Sequence, residues 1–484
     1  MHTCHAPVLL VFMVMVMPPV QAEEPVLLSI PVRGMISVTT QYDPSIYPGE
    51  ITMLKELDVD VINTFHGTPS NVEAFLNMAD QIGIRCIPSI HLICWIRFGD
   101  PPYPPSGPLG WTNILEWLGL YGYSWPDLPA PFSGGPNSTG PLSQRQLEEQ
   151  VAEILGGFGN PDHHPSILAY YAFDEPSASS PGVIDRMARV HSAFSRLGSG
   201  PTIAGIFLWN EDGQAAAREY LSRASPGPEL LMYDCYVLRH AVGSNLNDYE
   251  RYAGNWVRMG EEFGVPVIAV PQGFSVGSRP AVGELRAQAY LALAAGCKGI
   301  SWFRLETLKS LGEWALDEVA GVNRDLEIIG LVLAKLERAE DVASMEGCGG
   351  RYACGTVTTF HHPGNGTRYL FVVSKDVTGM DVARITVDEI DLGYSVKGVI
   401  DCHEGRDVGF ARDKGSLSFR YALGPGQGRI FRLEGDPTSP VSEPVPLMLL
   451  VVAVILLPVL RRVGLTHNPK VLSAQGNTNF REIR

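Results

Sequence analysis

The sequence has few basic residues for its size. Its 484 residues include 37 lysines and arginines against 52 aspartates and glutamates, which gives a formal net charge of −15. Nucleic-acid binding depends on clustered lysine and arginine, so this balance argues against nucleic acid as a partner. Hydrophobic residues make up 45% of the chain. That content is enough for a sizeable core, and it excludes a chain that is disordered throughout.

Cysteines are also scarce. Eight cysteines in a chain of this length are too few for a disulfide scaffold. No two of them have the C-x-x-C spacing of a zinc site, so we expect no metal centre. Cys348 and Cys354 flank a glycine-rich turn and could pair outside the cell. No G-x-G-x-x-G or Walker motif follows the first expected strand, which argues against a nucleotide cofactor.

Two apolar stretches lie near the ends of the chain. An apolar run over residues 8–17, followed by small residues up to Ala22, predicts a signal peptide over residues 1–22. A second run predicts a transmembrane helix over residues 445–463, and the arginines at its C-terminal end predict a cytoplasmic tail over residues 464–484. The body of the protein is therefore expected to be secreted and anchored to the membrane through its C-terminal helix.

The region between these ends divides into two parts. Over residues 30–340, eight short β-rich runs alternate with amphipathic helical segments, such as a strand over Gly299–Phe303 and a helix over Val183–Leu197. Many of the runs are apolar nearly throughout, as in a parallel sheet that is covered on both faces. The fold class predicted is α/β, a (β/α)8 TIM barrel. Residues 341–435 predict a small all-β sandwich, and residues 436–446 a linker.

Catalytic residues of such barrels come from the C-terminal ends of the strands. Acids, amides and aromatic residues gather there in this sequence, which suits a sugar pocket, because amides bind hydroxyl groups and aromatic faces stack on sugar rings. The expected substrate-binding residues are Asp174, Asn63, His66, His91, Trp209, Asn210, Tyr233, Tyr236, Gln272, Trp302 and Arg304. A long insertion over residues 94–140 holds half of the eight tryptophans. It is expected either to form a pocket wall or to pack as a small satellite core.

Glu175 is the leading catalytic candidate. It follows an apolar strand and has Asp174 beside it, and both burial and a neighbouring carboxylate raise the pKa of a carboxyl group. A proton would thereby remain available for a leaving group. The alternative is that the Asp-Glu-Pro sequence simply begins a helix, where acids cap the first turn.

Four stretches of sequence resemble a known family. Residues 171–176, 270–274, 284–293 and 296–303 resemble the glycoside-hydrolase barrels of clan A, near the family 42 β-galactosidase-like group. Residues 423–429 resemble the last hairpin of the β-sandwich that often follows such barrels. The resemblance implies a glycosidase in which Glu175 is the acid/base at the end of strand four.

The sequence departs from that family at strand seven, where a nucleophilic glutamate is expected and Gln272 stands instead. Asp234 on strand six or Glu306 on strand eight could serve as the second carboxylate, and Asp234 is preferred because Tyr233 and Tyr236 flank it. Alternatively, Asp174 and Glu175 act with a 2-acetamido group of the substrate, or the barrel binds glycans without cleaving them. The function expected is hydrolysis of an O-glycosidic bond in an extracellular oligo- or polysaccharide, with no cofactor. The main alternative is a catalytically inactive glycan-binding protein of the cell surface.

Overall fold

The computed structural model describes ten stretches of the chain. They are residues 35–38, 53–64, 69–89, 143–157, 163–179, 182–197, 203–238, 245–275, 279–346 and 355–440. The predicted signal peptide, the insertion over residues 94–140, the Cys348–Cys354 pair and the predicted transmembrane helix lie outside these stretches. Within them, no helix is long and apolar enough to cross a membrane.

Eight parallel strands form the first sheet, in the order β3-β2-β1-β8-β7-β6-β5-β4. The strands are β1 (Met35–Val38), β2 (Val61–Thr64), β3 (Arg85–Ile87), β4 (Tyr170–Asp174), β5 (Ile203–Leu208), β6 (Leu231–Cys235), β7 (Val267–Pro271) and β8 (Gly299–Phe303). The two edges of this sheet meet. Parallel bridges join Cys86 to Ile167 and Ser89 to Tyr171, and the Cys86 N–H donates to the Ser166 carbonyl at 2.8 Å. The sheet therefore curls into a barrel.

Helices follow the strands from β2 to β8 along the chain and cover the outside of the sheet, and two of them follow β8. They are α1 (Pro69–Ile82), α2 (Gln144–Gly157), α3 (Val183–Leu197), α4 (Glu211–Arg223), α5 (Leu246–Phe263), α6 (Glu284–Ala295), α7 (Leu305–Leu311) and α8 (Glu313–Leu333). Their ends follow ordinary capping chemistry. The Asn210 side chain caps α4 by accepting from the Gly213 N–H at 2.9 Å. Gly264 ends α5 in the left-handed conformation, with φ of 68°.

The strand residues alternate between two apolar cores, because successive side chains of a strand point to opposite faces. The interior of the barrel holds Tyr171, Ile206, Met232, Ile268 and Val270, among others. The layer between strands and helices holds the neighbouring positions Tyr170, Phe207, Leu231, Val267 and Ala269. This alternation decides which strand residues can face a site at the barrel mouth.

Two antiparallel sheets follow the barrel. Their strands are β9 (Glu337–Arg338), β10 (Ala343–Glu346), β11 (Gly355–His361), β12 (Arg368–Ser374), β13 (Asp381–Asp388), β14 (Tyr394–Asp401), β15 (Arg406–Asp407), β16 (Phe410–Asp413), β17 (Ser416–Leu423) and β18 (Gly428–Pro440), with a short helix α9 (Glu389–Leu392). The six-stranded sheet has the order β15-β14-β18-β12-β11-β9, and the four-stranded sheet β10-β13-β17-β16.

The six-stranded sheet packs on both of its faces. On β12, Leu370 and Val372 join the core between the two sheets, whereas Phe371 and Val373 join the core that contains helix α6. The rings of Tyr290 on α6 and Phe371 meet edge to face at 6.2 Å. The predicted order, a parallel α/β barrel sheet followed by packed β-sheets, is confirmed for the described residues.

Candidate active site

Three carboxyl groups lie at the C-terminal ends of the barrel strands, which we call the exit end. Asp174 is the last residue of β4, Glu175 follows it, and Asp234 is the fourth residue of β6. Asp234 lies two residues after Met232 of the barrel interior, so its side chain is on the same, inward face of the strand, and it is 0% exposed. The Glu175 N–H donates to the Ile206 carbonyl of β5 at 2.8 Å. Strands β4, β5 and β6 thus bring these carboxyls together.

Glu175 has a strained backbone. Its φ is 44°, in the left-handed region that L-residues other than glycine rarely enter, at a cost of about 1–2 kcal/mol. The hydrogen bond to Ile206 and the buried strand before it hold this conformation. Strain of this kind clusters at functional sites, where a side chain must be aimed in a particular direction.

Glu175 and Asp234 form a coupled pair of carboxyl groups. Burial raises the pKa of Asp234 well above its usual range, and the hydrogen bond and charge of Glu175 raise it further. Burial also raises the pKa of Glu175, with the Asp174 charge acting in the same direction, whereas the hydrogen bond from Asp234 lowers it. Apart from its own backbone N–H and Glu175, no described residue offers Asp234 a hydrogen bond. The two groups therefore titrate as a coupled pair.

Two tyrosines surround the carboxyls. The buried Tyr171 hydroxyl donates to Asp174 at 2.5 Å and fixes the direction of that carboxylate. The Tyr236 pKa is raised well above its usual range, first by burial and then by the charges of Asp234, Asp174 and Glu175. Both phenols therefore stay protonated at neutral pH and can act as hydrogen-bond donors beside the carboxyls.

Four partly exposed aromatic residues, which we call the aromatic arc, occur at the ends of β5, β6, β7 and β8 in turn: Trp209, Tyr236, Phe274 and Phe303. Ring centroids in the arc lie 6.1 Å apart for Trp209 and Tyr236, 4.8 Å for Tyr236 and Phe274, and 5.9 Å for Phe274 and Phe303. Because Tyr236 belongs to the arc and also interacts with all three carboxyls, the apolar wall and the acids border the same region. Flat aromatic faces beside convergent polar groups are the usual make-up of a small-molecule site.

Gln272, at the strand-seven position, is engaged by the backbone. Its Oε1 accepts from the Leu238 N–H at 2.9 Å, and its Nε2 donates to the carbonyls of Leu238 and Phe274 at 3.2 and 3.0 Å. Both amide hydrogens are used, and the side chain is 0% exposed. Gln272 therefore joins the loops that follow β6 and β7, which corrects the expectation that it binds substrate.

Two other expected substrate-binding residues lie on the outer face of the barrel. Tyr233 precedes the inward Asp234, so it points outward, where its ring stacks on Trp256 of α5 at 5.2 Å. Trp302 lies between Ser301 and the inward Phe303 and belongs to the outer core, with 0% exposure. Both side chains are covered by helices and cannot contact a ligand at the exit end.

The remaining expected residues have varied positions. Asn63 is buried at the end of β2, two residues after the interior Val61 and therefore on the same inward face of the strand. Asn210 uses its side-chain oxygen to cap α4. Arg304 and Glu306 follow β8, and their charged groups lie 3.7 Å apart. Glu306 is in the first turn of α7 and not on the strand, and it is not among the residues that shift the pKa of Glu175. His66 and His91 lie outside the described residues.

The sequence interpretation missed Tyr171, Phe274 and Phe303. Strand parity could have identified Tyr171 and Phe303, since both lie two residues from an interior position, but it gives no information on Phe274, which belongs to a loop. Within the described ranges, no group of three or more His, Cys, Asp or Glu side chains is arranged to hold a metal ion.

A cavity of about 1470 Å³ lies elsewhere, between α5, the start of β7, the end of α8 and β11. It is at the opposite end of the strands from the carboxyls. The buried ammonium of Lys298 in its wall donates to the Leu336 carbonyl at 2.8 Å. This cavity has none of the carboxyl and aromatic residues of the exit end, so we do not assign it to the same site.

Neither the protein-family models nor the curated proteins contain a match to this chain. Among solved structures, it is similar to an endo-β-1,4-mannanase from Thermotoga petrophila, with a TM-score of 0.43 and 11% identity over 84% of this chain and 98% of that chain. It is also similar to a family 51 α-L-arabinofuranosidase from Bifidobacterium longum, with a TM-score of 0.36 and 9% identity over 83% and 95% of the two chains. A glucosidase from Croceicoccus marinus gives a TM-score of 0.40 and 11% identity over 83% and 96%. At these scores and identities, the matches assign neither a family nor a reaction.

Proposed function

We propose that this protein is a glycoside hydrolase in which Glu175 is the general acid. The observation that carries the proposal is the Glu175–Asp234 carboxyl pair at the exit end of a barrel, bordered by the aromatic arc. A raised pKa favours the protonated form of a carboxyl group, which is the form that the acid of a glycosidase requires. The aromatic faces beside it suit the C–H surfaces of a sugar ring.

In the proposed reaction, the Glu175 carboxyl donates its proton to the glycosidic oxygen. The bond between the anomeric carbon and that oxygen breaks, and its electron pair goes to the departing hydroxyl group. Water adds to the anomeric carbon and loses a proton to a carboxylate base. Glu175 then regains a proton from solvent, and the base loses its proton to solvent, so that both groups are restored.

Asp234 does not suit the part of nucleophile or base. A retaining enzyme separates its two carboxyls by about 5–5.5 Å and an inverting enzyme by about 6.5–9.5 Å, so that a sugar carbon or a water fits between them. Two carboxyls within hydrogen-bonding reach leave no such room. We propose Glu306 as the base, since it follows the strand opposite β4 in the ring. This assignment predicts inversion at the anomeric carbon.

The test is turnover of a panel of nitrophenyl glycosides and oligosaccharides by the wild type and by Glu175→Gln. The acid variant should lose turnover of poor leaving groups by about 100-fold or more, the usual effect of general acid catalysis, and should keep its affinity for sugars. Asp317→Asn, on the exposed face of α8, is the matched control and should behave as wild type. NMR of the first-formed product distinguishes inversion from retention.

A glycan-binding protein without activity is the second candidate. Two features favour a binding protein. The Gln272 amide is hydrogen-bonded to the backbone and cannot act as a nucleophile. The coupled carboxyl pair also does not provide a nucleophile. A binder would turn over none of the panel before or after the Glu175→Gln change, yet would still bind a sugar. Measurable wild-type turnover that Glu175→Gln abolishes excludes this candidate.

We further propose that the body is secreted and anchored at the membrane, with residues 1–22 as the signal and residues 445–463 as the anchor. The support is the apolar sequence of both segments and the arginines that end the second one. Protease treatment of intact cells should remove an epitope placed within the barrel and leave one placed after residue 464.

A further inference from the structure

We infer that Gln214, Gln272 and Gln288 are positioning residues for the aromatic arc, and that they set the affinity of the site for a sugar ring. We call these three side chains the amide tethers. The inference rests on the proposed function and names the part of the same site that controls substrate binding. It follows from hydrogen bonds that join the side-chain amides to the backbone at the ends of the barrel strands.

Gln272 links the backbone segments of two arc residues. Its side chain exchanges two hydrogen bonds with Leu238, which lies two residues after Tyr236: Oε1 accepts from the Leu238 N–H at 2.9 Å, and Nε2 donates to the Leu238 carbonyl at 3.2 Å. Nε2 also donates to the carbonyl of Phe274, itself a member of the arc, at 3.0 Å. One side chain therefore fixes the spacing between the segments that carry Tyr236 and Phe274.

Gln288 of α6 holds Gln272 in turn. Its Oε1 accepts from the Gln272 N–H at 3.0 Å, and its Nε2 donates to the Gln272 carbonyl at 3.3 Å. Both glutamine side chains are 0% exposed. The next residue, Gly273, donates its N–H to the carbonyl of Phe303 at 3.0 Å, which is the third arc residue in this network. A buried set of hydrogen bonds thus runs from a helix to the ends of β6, β7 and β8.

Gln214 of α4 makes the same kind of contact with the fourth arc residue. Its Nε2 donates to the Trp209 carbonyl at 2.8 Å, and the Trp209 ring lies 6.1 Å from that of Tyr236. Each of the four arc residues is therefore held by a hydrogen bond at its own backbone or within two residues of it. Three of these four contacts come from side-chain amides.

The rings held in this way contact one another. Ring centroids of Tyr236, Phe274 and Phe303 lie 4.8, 5.9 and 6.0 Å apart, so each ring meets the other two. A shift of one backbone segment would disturb all three. The side chains are partly exposed, and rings that are already ordered lose less conformational freedom when a sugar stacks on them. The affinity for a sugar should therefore depend on the amide tethers.

The tethers also explain why glutamine suits the strand-seven position. Its Nε2 supplies two hydrogens to two carbonyl oxygens, those of Leu238 and Phe274. A glutamate carboxylate has no hydrogen to donate, so it would face both carbonyls with an acceptor and leave them unpaired. We therefore expect Gln272→Glu to weaken sugar binding and not to create a nucleophile.

The experiment separates binding from chemistry. The kcat and KM of wild type and Gln272→Met are measured on the panel of nitrophenyl glycosides, and binding of the free sugars of that panel is measured by tryptophan fluorescence. Methionine keeps the length of the side chain and removes its hydrogen bonds. We expect KM and the sugar Kd to rise about fivefold or more, since the rings must be ordered on binding, and kcat to stay within about twofold of the wild-type value. A defect of folding alone would lower the apparent kcat and leave KM unchanged.

Three further variants serve as controls. Gln214→Met alters a half-buried position on α4, should raise KM about two- to fivefold, and decides the question if Gln272→Met does not fold. Asn323→Leu is the matched control. It removes the 2.7 Å hydrogen bond from a buried amide to the Leu57 carbonyl, at the opposite end of the strands, so it should lower stability and leave KM unchanged. Gln272→Glu should raise KM and keep the stereochemical outcome of the wild type.

The outcomes separate this inference from the proposed function. Unchanged KM and sugar Kd in the folded variants of Gln272 and Gln214 overturn the inference and leave the hydrolase proposal standing. A gain of turnover or a change to retention in Gln272→Glu also overturns it, because that side chain would then reach the substrate. Weaker sugar binding in the variants, with no turnover by the wild type, supports the inference and overturns the hydrolase proposal. If no sugar of the panel binds to the folded wild type, both are wrong.

Discussion

We expect the buried carboxyl pair to lower the stability of the native protein at neutral pH. The substitution Asp234→Asn tests this directly. Asparagine has nearly the shape of aspartate, and its amide can form a hydrogen bond with the Glu175 carboxyl group in place of Asp234. The substitution removes a buried ionisable group that is 0% exposed. We therefore expect the free energy of unfolding at pH 7 to rise by about 1–3 kcal/mol, the usual cost of a buried polar group that is poorly compensated.

The sign of the pH effect follows from the direction in which each pKa moves on folding. Both carboxyls have raised pKa values in the folded state, so the folded protein holds protons that the unfolded chain has released above about pH 4. The stability contribution of the pair is greatest below that pH and is lost as the pH rises through the folded pKa values. A tenfold difference between the folded and unfolded acid dissociation constants corresponds to about 1.4 kcal/mol.

Urea denaturation followed by circular dichroism, at several values between pH 4.5 and 8, provides the measurement. In Asp234→Asn the decline in stability with rising pH should be smaller than in the wild type, because one titrating group is gone and Glu175 is bonded to a neutral amide. Asp317→Asn should reproduce the wild-type slope. A variant that is less stable than wild type at pH 7, with the slope unchanged, would refute the coupling between Glu175 and Asp234.

Three further predictions concern other positions in the molecule. Gly273→Ala should lower the unfolding free energy by about 1–3 kcal/mol, because its Cβ would lie 2.6 Å from the Phe303 carbonyl oxygen. Gly254→Ala is the control, because there is open space around Gly254. Equal urea midpoints for Gly273→Ala and Gly254→Ala would contradict the packing argument. Burial, with the Arg429 charge, lowers the pKa of His403 to about 4. The free energy of unfolding should therefore fall by up to about 3 kcal/mol as the pH drops from 6.5 toward 4. His403→Gln should remove that loss in acid denaturation curves. Tyr171→Phe keeps the ring in the barrel interior but removes the hydrogen-bond donor to Asp174. Its kcat/KM should therefore fall roughly 10- to 100-fold, with the circular dichroism spectrum unchanged. If the variant kept the wild-type kcat/KM, Asp174 would need no orientation by Tyr171.

Regular elements with a strong periodic pattern were predicted well from the sequence. The helix over Val183–Leu197 and the strand over Gly299–Phe303 have the expected bounds. These segments are bounded by turn residues and have a clear period, so local sequence decides their ends. Helix α7 was missed because seven residues with polar positions give little periodic signal.

The site was predicted in part. Apolar sequence before Glu175 indicated burial, and the raised pKa of Glu175 has burial as its largest cause. Tyr233 and Trp302 were misplaced because position in the sequence near a strand end was used without the alternation of the two strand faces. The hydrogen bond between Glu175 and Asp234 could not be foreseen, because it depends on how far two strands that are not neighbours lean together inside the barrel.

The contact between α6 and the six-stranded sheet also determines where the chain can be shortened without exposing a core. A shortened chain that stops after α8 would leave Tyr290 and the apolar face of α6 open to water, where Phe371 and Ile430 now cover them. Exposed apolar area of that kind favours association over a soluble monomer. Expression trials that separate the barrel from the two antiparallel sheets should therefore yield aggregates, and domain-swapped chimaeras should retain α6 together with its own sheet.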